Sequence, residues 1–160
     1  MIRVRAISRA ALRTPLVVAA GVLLVFLIGA ANRTHADGTP KIPRTASPEG
    51  AWLYFVTPAD GDVVESLVTV KFGLSGMGVA PAGIDHPMTG HHHLLVDTEL
   101  PDLSIPIPSD DKHRHFGGGH TETRVELTPG QHSLQLLLGD LRHIPHDPPV
   151  VSPRITITVK

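Results

Sequence analysis

The chain has 160 residues, with 14 Lys and Arg, 15 Asp and Glu, 11 His and no Cys. The lack of cysteine excludes disulfides, a thiolate metal site and amino-terminal acylation as a lipoprotein. Five of the basic residues (positions 3, 5, 9, 13 and 33) precede residue 37. Nine then face fifteen acids in the remainder, a charge of about −6 with neutral histidines, which disfavours nucleic acid as a partner.

The amino terminus carries Arg3, Arg5, Arg9 and Arg13, then an uncharged run from Leu16 to Ala31, then a small and polar stretch. That is the layout of a secretory signal. Its sixteen apolar residues would span roughly 24 Å as a helix, short of a ~30 Å hydrocarbon core. Residues 1–36 therefore read as a signal peptide or, if uncleaved, as an anchor, the chain's one link to a membrane. The product is expected in the periplasm or secreted.

Residues 37–50 hold Pro40, Pro43 and Pro48 and read as a linker or loosely held arm. Residues 51–160 read as one His-rich domain. Trp52 to Val56 is a short apolar run suited to a strand buried on both sides. In the next strand Val68, Val70 and Phe72 face one way, Thr69 and Lys71 the other. A glycine-rich loop leads to His91–Val96, where alternation puts His92, Leu94 and Val96 on one face and His91, His93 and Leu95 on the opposite one. A second irregular stretch, 101–119, contains His113 and His115. Thr121–Leu127 and Gln131–Leu138, joined by Thr128-Pro129-Gly130, are expected to form a hairpin. A proline-rich loop and Ile155–Val159 close the chain. No helical period occurs after residue 36, so the expected fold is all-β, an antiparallel immunoglobulin-like β-sandwich preceded by an N-terminal signal helix.

Ten of the eleven histidines lie beyond residue 36, beside only six aromatic residues in the whole chain. They group as His91-His92-His93, His113 and His115 with His120, and His143 with His146. Imidazole suits copper and zinc, and His at i and i+2 on a strand points two rings the same way. The expected ligands are His91, His93, His115, His143 and His146. His92, His120, His132 and Asp140 form a second tier. His92 and His132 lie on leucine faces, where a hydrogen-bonded structural histidine is an equal alternative. Asp140, Asp147 and Asp97 can serve as oxygen ligands or orient an imidazole.

Nucleophile elbows and phosphate loops are absent. The leading function is an extracytoplasmic metal-binding module for copper or zinc, whose partner is the ion, with another envelope protein as a further candidate. The alternatives are a metal-free cell-envelope domain with a histidine network, a pH-sensitive histidine patch, and a metal-dependent enzyme.

From Phe72 to Val159 the chain resembles an uncharacterised bacterial exported family, a domain of unknown function. The resemblance rests on GHHHLLVD at Gly90–Asp97, HFGGGHTE at His115–Glu122, PGQHSLQLLLGD at Pro129–Asp140 and HIPHDPPVVS at His143–Ser152. It implies an export signal, one compact domain and a site drawn from His91, His92, His93, His115, His132, His143 and His146. It also implies glutamine at the position of His120 in most members. No activity comes with it.

Overall fold

The computed structural model describes residues 42–160. The expected signal segment lies outside the described residues, as does the start of the 37–50 segment. Nine strands form the described chain: β1 (Trp52–Thr57), β2 (Val63–Val64), β3 (Val68–Ser75), β4 (Gly78–Val79), β5 (Thr89–Val96), β6 (His113–His115), β7 (Glu122–Val125), β8 (Gly130–Gly139) and β9 (Ile155–Val159). There is no helix among the described residues, so none of them forms a helix long and apolar enough to cross a membrane.

A three-stranded sheet runs β1-β3-β7 and a six-stranded sheet runs β2-β9-β8-β5-β4, with β6 also on β5. All pairings are antiparallel except two short ones, β2 with β9 and β4 with β5. The alternation read in β3 is realised: Val68, Val70 and Phe72 are buried while Thr69 and Lys71 are exposed. They meet Leu53 and Val125 of their own sheet and Leu94, Val96, Leu134, Leu136, Leu138 and Ile157 of the other in one core. At ~1.5–3 kcal/mol for each aliphatic side chain buried, this core supplies most of the drive to fold without disulfides.

Two expectations are corrected. β1 is not buried on both sides: Trp52 and Val56 are 50% and 61% exposed, and Trp52 stacks on Tyr54 on the outer face. β1 is an edge strand of the smaller sheet, so only Leu53 on its inner face is fully buried. The hairpin is also absent. β7 pairs with β3, and β8 pairs with β5 and β9. A turn holding Gly130 at φ 135 carries the chain from one sheet to the other. Crossing sheets puts Val125 and the leucines of β8 into the same core, whereas a hairpin would leave both in one sheet.

β5 is the strand that positions the site. It is buried along nearly its whole length, with β8 on one edge and β4 and β6 sharing the other. His92, Leu94 and Val96 point to the main core. Leu95, on the face of His91 and His93, packs with Ile107 and Leu137 in a second small core covered by the long loops. Gly90 sits where a side chain has no room: a Cβ there would lie 2.7 Å from the Gly139 carbonyl oxygen and 2.9 Å from the His146 ring.

A candidate metal centre

Four imidazoles converge on the outer face of the six-stranded sheet. The pleat of β5 raises His91 and His93 side by side, their Nε2 atoms 3.1 Å apart. His115 faces His93 directly across the β5–β6 ladder, so its ring lies on the same side. His143 arrives from the turn after β8. That turn is tied by His143 N–H to Asp140 C=O (2.8 Å) and Asp140 N–H to Ile144 C=O (2.9 Å). The Asp140 carboxylate braces it from inside, accepting the amides of Arg142 (2.8 Å) and Ile144 (3.0 Å). His143 itself is left-handed, at φ 67, a strained state for a residue with a Cβ and one that clusters at functional sites.

The rings of His91, His115 and His143 have centroids 4.7–5.0 Å apart. His93 is 5.0 Å from His91 and from His115 but 6.1 Å from His143. Nitrogens of the first three lie within 4.8 Å of one another, and this group could hold a metal ion. Imidazoles bound tetrahedrally at about 2.0–2.1 Å place their ring centres roughly 5 Å apart, which matches the trio.

Burial keeps His91, His93 and His115 neutral. It is the largest influence lowering His91 to about 4, helped by the neighbouring His143 and His115 and opposed by Asp140. Burial, then His91, His115 and His143, take His93 to about 2. His115 is lowered by burial and by His143. Lone pairs are therefore available at neutral pH, as ligation requires. Two ring nitrogens are also unsatisfied: Nδ1 of His91 and Nδ1 of His93 are buried with no partner in the protein.

The other expected site residues are placed elsewhere. His146 is fully buried, but its Nε2 meets the Thr89 carbonyl (3.2 Å) beside Gly90, apart from the four rings. His120 is exposed next to Gly118. Asp140 is bonded within its own turn and to Thr45 Oγ1 (2.7 Å) and Arg142 Nη2 (3.3 Å), so it braces His143 rather than facing an ion. Asp147 pairs with Arg44. His113 and Asp110 pair at 2.9 Å and hold the turn into β6.

His92 points into the core against Phe72, ring centroids 5.0 Å apart. Burial lowers it to about 4; the His120 backbone opposes this weakly, and neither ring nitrogen makes a hydrogen bond of normal geometry. Its contribution is packing. His92→Ala is expected to cost about 2–4 kcal/mol through the cavity it leaves. His92→Leu should be neutral or stabilising, because it removes two unsatisfied nitrogens. Denaturant midpoints of the two variants check this, and a large loss with leucine would show that the ring has a hidden partner.

His132 differs again. Its Nδ1 meets an Asp97 oxygen at 2.6 Å and its Nε2 the Thr128 carbonyl at 2.8 Å. Both partners are acceptors, so both ring nitrogens donate only in the imidazolium. Burial acts to lower its pKa, but the Asp97 and Thr128 bonds outweigh burial and raise it. A raised folded-state value means the contribution is fully present below the unfolded value of 6.5 and is lost as pH rises through the folded value. Asp97→Asn should therefore cost roughly 1 kcal/mol after solvent screening at acidic pH, and the gap to the parent should narrow as pH rises. A gap independent of pH would mean that His132 is neutral.

The described part of the 37–50 segment, read from sequence as a linker or loosely held arm, is tied to the loop that carries His143. Arg44 donates from Nε to the Pro145 carbonyl (2.9 Å), also bonds the His146 carbonyl, and pairs with Asp147 (3.2 Å). Ala46 bridges to Asp147, and Arg142 Nη2 reaches back to the Pro43 carbonyl (2.8 Å). Loop residues Ala82 and Gly83 tie the two histidine loops together, bonding the carbonyls of Gly117 (2.8 Å) and Leu141 (3.0 Å). Main-chain contacts of this kind leave no mark in residue type.

Fold and site together define an all-β domain carrying a three-histidine cluster that reaches the surface. The chain belongs to the family described as a domain of unknown function, DUF4399, whose model matches residues 70–160. No curated protein matches the chain, and no solved structure does.

Proposed function

We propose that this is an extracytoplasmic module holding one copper or zinc ion through His91, His115 and His143, with His93 bonded behind His91. The observation that carries the reading is the convergence of three imidazoles, 4.7–5.0 Å between ring centres, from three separate segments. All-imidazole sets without thiolate suit copper and zinc. The two sheets sharing one core support the finer reading of the fold as an immunoglobulin-like β-sandwich. The layout of residues 1–36, read as an export signal, supports a position outside the cytoplasm.

A metal-free histidine network is disfavoured by the same rings. Their single mutual hydrogen bond, His91 to His93, leaves buried Nδ1 atoms on both without partners, each costing ~1–3 kcal/mol. Chelator-stripped protein titrated with cupric or zinc ion is expected to melt higher, since an ion at a hundred times its Kd adds about 2.7 kcal/mol. Superimposable melting curves with and without each ion would overturn the proposal.

A further inference from the structure

The three donors lie unequally deep. His91 is fully buried, His143 half-buried and His115 exposed, so solvent reaches the centre past His115. The donors bring no charge, and a divalent ion among them keeps both of its positive charges. Asp140, the carboxylate that acts on His91, is committed to Thr45 and Ile144 and is paired with Arg142. His93 sits on the protein side: it is fully buried, bonded to His91 and 6.1 Å from the His143 ring. It does not close the solvent side. Gly117 packs against the His115 ring, where a Cβ would lie 2.4–2.5 Å from Cε1 and Nε2, so any side chain there would displace that ring.

A four-coordinate ion with three protein ligands has one position left, and uncompensated charge near a low-dielectric wall favours an anion in it. We propose, resting on the metal-site reading above, that the ion carries an exchangeable small anion on its solvent side, next to His115 and His143. The centre is then a site for an exogenous anionic ligand, unlike a closed structural metal site, whose four positions are all filled by the protein.

The test uses azide as the probe. The full protein is loaded with one equivalent of cupric ion, desalted, and titrated with sodium azide while its near-ultraviolet charge-transfer absorption and electron paramagnetic resonance are followed. The expected result is a saturable one-site change, with an apparent Kd of roughly millimolar, and copper still on the protein after a second desalting. Retained copper with spectra indifferent to azide would overturn the open position and leave the metal centre standing. Failure to retain copper at the first desalting would overturn both.

Discussion

His91→Ala is expected to abolish tight binding of copper and zinc. Loss of an outer partner of a metal ligand typically weakens binding about 10–100-fold, and His91 is the ring that joins the others: it lies within 5.0 Å of His93, His115 and His143. Removing it takes away one donor outright and leaves His115 on β6 and His143 on the turn after β8. His91 stands on the outer face of the sheet among the other imidazoles, whereas His92 packs into the core against Phe72, so the metal-free domain should lose less stability than it does with His92→Ala. His146→Ala is the contrasting control, because that ring stands apart from the cluster and bonds the Thr89 carbonyl. It should lower stability and leave metal affinity within a few-fold of the parent. Calorimetric titration of the three variants checks the pattern. Retention of affinity by His91→Ala together with its loss in His146→Ala would relocate the site.

Acid is expected to unfold the metal-free domain at a pH where most carboxylates are still ionised. His91 and His92 fall to about 4 in the fold, and His93 to about 2, from 6.5 in the unfolded chain. Burial is the leading cause in each. Above 6.5 both states hold these rings neutral and the full stability is present. As pH falls below 6.5 the unfolded chain takes up protons that the fold refuses, and the loss runs down through about 4 for His91 and His92. Each group loses about 1.4 kcal/mol per pH unit in that window, so three together remove roughly 4 kcal/mol per unit. A domain in the lower half of the usual range, about 5–10 kcal/mol, would then unfold between roughly pH 5 and pH 4. Metal resists the protons until they displace it, so the loaded protein should unfold at lower pH than the stripped one. A denaturation midpoint that stays flat from pH 7 to about pH 5 would show that the rings accept protons within the fold.

The parts of this structure that obey a local period were legible in the sequence. Alternation in Val68–Phe72 and in His91–Val96 assigned faces that the structure realises, because a buried face tolerates no slip of register. His91 and His93 on one side and His92 on the other follow from the pleat alone. What joins them was not legible. His115 reaches the cluster through its pairing with His93, a contact between residues separated by a long irregular loop. His143 reaches it through a left-handed turn braced by Asp140. His146, three residues on, was expected beside His143, but the same turn carries it beside Gly90 instead. The hairpin expectation failed for a related reason, since Thr128-Pro129-Gly130 permits a turn within a sheet or a crossing between sheets, and only the shared core decides. Arg44 and Thr45 carry no periodic signal, and their role lies in main-chain and carboxylate partners 101 and 95 residues away.

X-ray absorption at the metal edge tests the central claim most directly. Protein loaded with one equivalent of copper or zinc and freed of excess is expected to show at least three imidazole nitrogens at about 2.0 Å, with the multiple-scattering pattern of histidine rings. A shell of oxygen alone, or no metal retained for the measurement, would contradict it.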